Sequence, residues 1–332
     1  MKFPSALQAA ALTTCVATLT WHSIPAATAD FPAKEATSKP PPITAVAIDE
    51  GNGWVIEGSQ AGLIVRSWPD LVKNKVLPTQ LEHIHDIALS PDGMTLAVGG
   101  GTPAESGAVE LYLWPTGELS NRLEPHEDVV YSVAWRNDAK LFATGSADKT
   151  VKTFSLVNVQ CAQVLEGHSR PVLAVEFLPG ELGIVTAGVD ESLRLWECSL
   201  AASVPAVLKR TFTNHTRQVV DLALRPAHQA APPVIASIGE DATVRLWQPT
   251  IGRMMRFAKL SSPAQAVCWT HDGQSLAVVC QDGRVRMINP DTVEVTVELD
   301  AVQGTAYCIA VDTSGMLVVG GVDGQLKRLS AH

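Results

Sequence analysis

The sequence carries three copies of a residue set that, in an enzyme, would suggest nucleophilic catalysis. Each copy combines a histidine, a serine or threonine, and an aspartate in the same order along the chain. The copies are His126, Thr144 and Asp148; His168, Thr186 and Asp190; and His215, Ser237 and Asp241. A hydroxyl that gives its proton to a histidine, itself oriented by an aspartate, attacks acyl groups. A catalytic site would not be duplicated along one chain, so the recurrence favours a structural role.

A second candidate site is the local cluster His83-Ile84-His85-Asp86. In a regular strand His83 and His85 point to the same side and could share a metal ion, whereas Asp86 points to the opposite face. The equivalent positions of other segments carry Tyr, Leu or Val, so the alternative is an ordinary packed or rim residue. The sequence leaves both interpretations open.

These residues belong to a unit that recurs from Ile43 to the end of the chain. The aligned closing positions of the seven units are Trp68, Trp114, Phe154, Trp196, Trp247, Ile288 and Leu329. The units are about 40 to 50 residues long, with three visible short strands each and no helical rhythm. This pattern predicts an all-β fold, a β-propeller with seven blades.

The first strand of each unit places large apolar residues on one side and small residues on the other. In the third unit, for example, Val133 and Trp135 flank Ala134. Successive side chains of a strand point to opposite faces, so each strand has one bulky face and one small face. Such strands suit sheets stacked radially about an axis. A single sheet could not bury both faces, and we therefore expect a closed ring.

Four short motifs recur in register with these units: Ser90-Pro91-Asp92-Gly93, Gly145-Ser146-Ala147-Asp148, Glu166-Gly167-His168 and Val244-Arg245-Leu246-Trp247. With them the chain resembles the WD-repeat (Trp-Asp repeat) family over about residues 43 to 332. The resemblance implies a seven-bladed β-propeller of four-stranded antiparallel blades. It also implies that the N-terminal side of the chain, residues 31 to 42, supplies the fourth strand of the last blade.

The sequence departs from the family in one regular way. The aspartate of the Trp-Asp pair is replaced in every unit, by Pro69, Pro115, Ser155, Glu197, Gln248, Asn289 and Ser330. The departure concerns the end of each third strand and the outermost strand that follows it, and leaves the expected fold unchanged.

The resemblance gives the histidine sets a structural role. In the family the same groups form a hydrogen-bond relay between the loop before a blade and its second and third strands. Two complete tetrads are expected, His168, Thr186, Asp190 and Trp196, and His215, Ser237, Asp241 and Trp247. Buried polar groups need such partners. We therefore predict no enzyme activity, no catalytic residues, no metal site and no cofactor.

The N-terminus has the features of a secretory signal. Lys2 precedes a mostly apolar run from Ala6 to Trp21, and Ala27-Thr28-Ala29 has the small-x-small form of a cleavage site. A short buried helix or a membrane anchor is the alternative. We expect a signal peptide at residues 1–29, a linker or closing strand at 30–42, and the propeller at 43–332. This places the protein in a bacterial periplasm or outside the cell, without a membrane span in the mature chain.

The net charge argues against two classes of partner, and the cysteine spacing argues against a metal or disulfide framework. The formal net charge of −9 repels nucleic acid and anionic lipid surfaces. Five cysteines follow the signal segment, and their spacing matches no metal or disulfide framework.

The sequence thus predicts a monomeric, non-enzymatic scaffold that presents one propeller face to a partner protein. The expected contact residues are His85, Tyr131, Arg170, Arg217, Gln218, Glu240 and Gln303, beside an insertion at residues 99–107. Aromatic, arginine and histidine side chains are frequent interface anchors. The alternative is a metal- or small-ligand-binding propeller, possibly an enzyme, that uses His83 and His85 at the channel mouth.

Overall fold

The computed structural model of the protein describes residues 39–180, 183–198, 204–226 and 232–330. Residues from Lys39 onward form one compact unit. The expected signal peptide, and all but residues 39–42 of the expected linker or closing strand, lie outside the described residues and stay predictions. No helix in the described ranges is long and apolar enough to cross a membrane.

The described chain folds into seven consecutive antiparallel sheets, here called blades 1 to 7. The strands of blades 1 to 3 are β1 Ile43–Asp49, β2 Trp54–Ser59, β3 Gly62–Ser67 and β4 Lys73–Leu77; β5 His83–Leu89, β6 Thr95–Thr102, β7 Ser106–Leu113 and β8 Glu118–His126; and β9 Val130–Trp135, β10 Leu141–Ser146, β11 Val151–Ser155 and β12 Gln160–Leu165.

The strands of blades 4 to 7 are β13 Val172–Phe177, β14 Ile184–Gly188, β15 Leu193–Glu197 and β16 Val207–Phe212; β17 Val219–Leu224, β18 Ile235–Gly239, β19 Thr243–Gln248 and β20 Arg253–Lys259; β21 Ala264–Trp269, β22 Leu276–Cys280, β23 Arg284–Ile288 and β24 Val295–Asp300; and β25 Ala306–Val311, β26 Met316–Gly321 and β27 Leu326–Ser330. A short 3₁₀ turn, Val322–Gly324, joins β26 to β27.

The first strand of every blade contacts the first strands of both neighbouring blades. The series runs from β1 to β5, β9, β13, β17, β21 and β25, and β25 contacts β1 again. The sheets therefore close into a ring with seven inner strands around a central channel. The prediction of a seven-bladed β-propeller of antiparallel sheets is confirmed.

Apolar clusters between successive blades hold the ring together. Between blades 2 and 3, Val133 and Trp135 of β9 pack with Val109 of β7 and Phe142 of β10. Apolar surface buried in this way contributes roughly 25 cal/mol per Å². The large face of each inner strand predicted from the sequence is thus a contact face between blades.

Glycine in a second strand lets the next inner strand approach closely. A Cβ at Gly99 would lie 2.6 Å from a Val133 methyl group, and one at Gly145 would lie 2.8 Å from a Val175 methyl group. Both glycines face the first strand of the following blade. Alanine at either position would push two blades apart.

Blade 7 has three strands within the described residues. Residues 39–42 form no strand, and Lys39 forms a 2.6 Å ion pair with Asp323 in the turn before β27. The chain thus enters β1 beside blade 7. The expected fourth strand falls mainly on residues 31–38, outside the described part of the chain, and is not tested.

Candidate functional site

All seven inner strands carry an irregularity in their pairing at the same level. In each, one residue is skipped in the register with the second strand. An extra residue of this kind is a β-bulge, which re-aims its side chain. The skipped residues, which we call the mouth ring, are Thr44, His85, Tyr131, Leu173, Val220, Gln265 and Tyr307. All seven line one cavity of about 160 Å³ at the channel mouth.

The bulge overturns one expectation for the histidine cluster. Strict alternation predicts that Asp86 points away from His85, yet both line the mouth cavity, because the bulge at His85 interrupts the alternation. His83 instead hydrogen-bonds Gln60 at a ring-nitrogen distance of 2.8 Å. His85 meets the edge of the Tyr131 ring at 4.9 Å between centroids.

This geometry does not support the metal-binding alternative. The His83 and His85 rings lie stacked at 6.4 Å, nearly parallel, and do not converge on one point. Burial, together with the nearby His83, lowers the pKa of His85 to about 4. Within the described ranges no group of three or more His, Cys, Asp or Glu side chains is placed to hold a metal ion.

Two carboxylates just below the mouth ring tie neighbouring inner strands together. Asp86 accepts the backbone N–H of Val133 in the next blade at 2.8 Å, and Asp221 accepts that of Val267 at 2.9 Å. Burial raises the pKa of Asp86 to about 6 and that of Asp221 to about 7. The channel below the mouth is therefore lined by acidic groups.

A third acidic residue, Glu176, lies deeper on β13. Burial, and then the charges of Asp221 and Asp86, raise its pKa to about 8. Sequence reasoning missed Glu176. Its one signal is that the other six inner strands carry alanine or cysteine at the equivalent position, where blade 4 carries glutamate.

The five predicted contact residues outside the mouth ring lie in loops at the same end of the ring. Arg170 and Arg217 are exposed in the loops before β13 and β17, and Gln303 lies in the loop before β25. Gln218 donates a 2.8 Å hydrogen bond to Glu240. The inner strands begin at this end, so these loops surround the mouth ring. The other two predicted residues, His85 and Tyr131, belong to the ring itself.

The insertion at residues 99–107 is mostly strand and not loop. Gly99 to Gly101 belong to β6, which pairs with β7 in a hairpin longer than those of the other blades. At its tip the Ala104 N–H donates a 2.8 Å hydrogen bond to Asp128 in the loop before β9. The hairpin thus extends the wall of the mouth between blades 2 and 3.

The structure joins the residues of both expected tetrads by hydrogen bonds. His168 lies 2.9 Å from Asp190 through Nδ1 and 2.7 Å from Thr186 through Nε2. The indole N–H of Trp196 donates to the same Thr186 hydroxyl at 2.9 Å. Thr186 is 0% exposed, so its hydroxyl cannot reach a substrate. These contacts are those of a buried relay and not of a nucleophile.

Blade 5 repeats this arrangement with serine in place of threonine. His215 lies 3.0 Å from Asp241 and 2.8 Å from Ser237, and Trp247 donates to Ser237 at 2.8 Å. The set of blade 3 links His126 to Asp148 and Thr144, both at 2.7 Å. Phe154, its closing residue, has no side-chain N–H to donate.

Blade 2 uses a relay of different composition that the sequence did not suggest. The fully buried Glu110 accepts hydrogen bonds from the Thr79 hydroxyl at 2.7 Å and from the Gln80 N–H at 2.9 Å. The Tyr112 hydroxyl donates to the same carboxylate. A glutamate here fixes the loop before blade 2, as a histidine fixes the loops before blades 3 to 5.

Blade 6 uses an arginine for the same purpose. Arg286, 2% exposed, donates to Ser261 in the preceding loop at 2.8 Å and to Asp282 at 2.6 Å. Arg286 lies two residues before the closing residue Ile288, a position at which most units carry a lysine or an arginine. In this blade the cation fixes the preceding loop.

Comparison with known proteins agrees with this architecture. The WD domain, G-beta repeat family matches residues 117–155, 159–197 and 206–248. The anaphase-promoting complex subunit 4 WD40 domain family matches residues 233–314. Together these matches cover parts of blades 2 to 7.

Among similar proteins, WD repeat and HMG-box DNA-binding protein 1 of Xenopus laevis is 25% identical over 71% of this chain and 20% of its own length. Nuclear distribution protein PAC1 of Arthroderma otae is 27% identical over 56% of this chain and 40% of its length. Human Coronin-7 is 34% identical over 32% of this chain and 12% of its length.

The chain therefore spans well under half the length of each of these relatives. All three come from eukaryotes, so they do not support the expected bacterial type. The closed ring of seven antiparallel blades and the repeat matches together place this chain in the WD40-repeat family.

Proposed function

We propose that the protein is a monomeric, non-enzymatic scaffold that presents the mouth-ring face of its propeller to a partner protein. WD40 propellers generally bind protein partners. The observation that carries the proposal is the mouth ring itself, in which seven bulges aim seven side chains at one cavity. A rigid scaffold that displays convergent side chains from different elements is typical of a binding site.

The composition of the mouth ring supports a protein partner. It combines the aromatic rings of Tyr131 and Tyr307 with the apolar Leu173 and Val220, all partly exposed. Partly buried tyrosines with apolar neighbours are common anchors of protein interfaces. The surrounding loops add exposed arginines and amides, which fits a polar rim around an apolar centre.

Burial of the triad-like hydroxyls argues against an enzyme. Thr186 and Ser237 are enclosed between strands, and each already accepts a tryptophan N–H. A nucleophile must reach the substrate atom that it attacks. The relays supply rigidity to the binding face and no chemistry of their own.

Affinity capture with matched variants tests the proposal. The double variant Tyr131→Ala with Tyr307→Ala should lose the partner that the wild-type protein captures, because it removes both aromatic anchors. Met94→Ala, which changes a 64% exposed residue in a turn at the opposite end of the ring, is the control and should retain it. Circular dichroism melting checks that both variants fold. Capture of the same partner by the double variant would contradict the proposal.

A further inference from the structure

The outer edge of blade 5 is its fourth strand, β20, which pairs with β19 alone among the described strands. It runs from Arg253 to Lys259, so its free edge is roughly 23 Å long. A strand edge without a neighbour presents a row of backbone N–H and C=O groups with which another extended chain can pair. We call this edge, on the outside of the ring, the blade 5 flank.

The blade 5 flank carries positive charge and no acid. Arg253, Arg256 and Lys259 are all exposed, and β20 contains no aspartate or glutamate. The next outer strand, β24, has the opposite character, with Glu298 and Asp300 and no lysine or arginine. The charge of the outer surface therefore changes sign between blades 5 and 6, which directs an acidic segment to blade 5.

Most of this charge is not neutralised within the described part of the chain. Arg253 donates to the neutral Gln248 at 2.7 Å, and Lys259 has no ion pair among the residues that the structure describes. Arg256 has one long ion pair, at 3.4 Å, with Asp291, whose side chain is 74% exposed. Exposed pairs of this kind contribute little to stability. The two guanidinium groups are thus available to carboxylates of a partner, which they bind in a fork geometry.

The pairing of β20 with β19 assigns the flank residues to two faces. Arg253 lies opposite Gln248 and Arg256 opposite Leu246, and Leu246 packs in the apolar cluster between blades 5 and 6. Because the register shifts once between them, the two arginines share this face although they are three residues apart. Phe257 lies on the other face, next to blade 4. A strand added to β20 would therefore meet two cations on one face and an aromatic ring on the other.

The face next to blade 4 combines an apolar surface with cations near both of its ends. The Phe257 side chain is 53% exposed, and exposed aromatic rings are frequent anchors of protein interfaces. Lys259 follows Phe257 on the same face. At the other end of β20, Arg210 of blade 4 lies over the preceding turn, since a Cβ at Gly252 would be 2.7 Å from its Nη1.

The chain favours one of three kinds of occupant for this edge. Charged residues on an edge strand oppose pairing with a second copy of the same strand. The formal net charge of −9 repels an extended polyanion such as a nucleic acid or an anionic membrane. A short acidic segment of a protein meets mainly the local positive charge, so neither objection applies to it.

We infer that the blade 5 flank binds an extended acidic segment of a partner protein, which adds to β20 as a fifth strand. Alternate carboxylates of the segment lie over Arg253 and Arg256, and the apolar residues between them lie over Phe257. Strand addition draws affinity from main-chain hydrogen bonds and specificity from alternate side chains. The inference goes beyond the proposed function and does not rest on it, because the mouth ring belongs to the inner strands. One propeller thus has room for two partners.

A fluorescein-labelled heptapeptide of alternating glutamate and valine tests the inference by fluorescence anisotropy with the full chain. It should bind, and its glutamine–valine counterpart should bind at least about tenfold more weakly, because neutral amides form no ion pairs. Arg253→Glu with Arg256→Glu should weaken the acidic peptide by a similar factor and create binding of a lysine–valine peptide. Lys73→Glu with Lys140→Glu, an equal change of net charge at exposed residues of blades 1 and 3, is the control and should bind the acidic peptide as wild type does. Circular dichroism melting checks that both variants fold.

Backbone methylation distinguishes strand addition from a purely electrostatic contact. Successive N–H groups of a strand point to opposite edges. Two further acidic peptides therefore carry N-methyl groups, one on its valines and one on its glutamates. The peptide whose methyl groups face β20 should lose binding, and the other should keep it.

Equal binding of the acidic and neutral peptides, undiminished binding by Arg253→Glu with Arg256→Glu, or equal effects of the two methylation patterns would overturn the inference. Binding of an oligonucleotide or an anionic lipid vesicle that this charge reversal abolishes, with no binding of the acidic peptide, would overturn it as well. Failure here is separable from failure of the proposed function. Tyr131→Ala with Tyr307→Ala, which tests the mouth ring, should bind the acidic peptide as wild type does.

Discussion

Buried histidine–aspartate pairs fix the loops that surround the mouth. Burial alone would raise the pKa of Asp190, but the hydrogen bond and charge of His168, together with hydrogen bonds from Ser192 and the Ser169 N–H, outweigh it and hold the pKa well below its usual range. Burial also lowers the pKa of His215 to about 4, although Asp241 opposes that shift. At neutral pH these shifts leave Asp190 ionised and His215 neutral. The relays therefore stabilise the fold at neutral pH.

Removing one member of a relay should destabilise the protein. Asp190→Ala or His215→Ala leaves buried partners without a hydrogen bond, and each is expected to cost on the order of 1–3 kcal/mol. Urea unfolding at pH 7 measures this cost. Glu191→Gln, an exposed neighbour of Asp190, is the control and should change stability little.

The cost of Asp190→Ala should also depend on pH with a defined sign. Because the folded state depresses the pKa of Asp190, its stabilising contribution is present above about pH 4, the ordinary aspartate pKa, and is lost as the pH falls further. Wild type and variant should converge in acid. A difference that grows below pH 4 would contradict the assigned role.

At the scale of the blade, different side chains perform one task. Histidine in blades 3 to 5, Glu110 in blade 2 and Arg286 in blade 6 all fasten the preceding loop. Each is a buried residue that reaches the loop from a strand or a loop end. The shared requirement is a satisfied polar contact and not a particular residue type.

The blade 2 relay should be as important as the histidine relays. Glu110→Ala leaves the Thr79 hydroxyl and the Gln80 N–H without their acceptor, and each buried donor left unsatisfied typically costs about 1–3 kcal/mol. We expect a lower unfolding free energy and faster amide exchange at residues 78–82. Hydrogen exchange by mass spectrometry measures the second effect. Unchanged exchange in this loop would show that Glu110 does not hold it.

The sequence predicted the elements better than it predicted their irregularities. Alternation of Val133, Ala134 and Trp135 reports which face of a strand is buried, because the faces differ in polarity and size. A bulge depends on how two strands pair, which one strand's pattern does not record. The mouth ring and the orientation of Asp86 therefore emerged only with the structure. The histidine relays could be predicted because the same residue types recur in three units of the sequence. The Glu110 relay belongs to blade 2 alone among the blades described, so no repeat pointed to it.

At the scale of the whole molecule, ring closure brings the two ends of the described chain together. The Trp68 indole of blade 1 donates a 2.9 Å hydrogen bond to Asp312 of blade 7, and Glu50 accepts the Thr313 N–H at 2.7 Å. The Trp114 indole makes the matching contact to Asp49 between blades 2 and 1. The junction between first and last blade is thus built like an internal one, and the ring holds all seven bulges at one level.

We propose that this level of the ring is the binding face. Site-specific photo-crosslinking tests it directly, with benzoylphenylalanine placed at Tyr131 or Tyr307 on the mouth ring, or at Met94 or Val157 at the opposite end. Both opposite-end positions are exposed and lie in turns. Crosslinks from the captured partner to the two mouth-ring positions, and none to the other two, are the expected result. Crosslinks confined to Met94 and Val157 would contradict the claim.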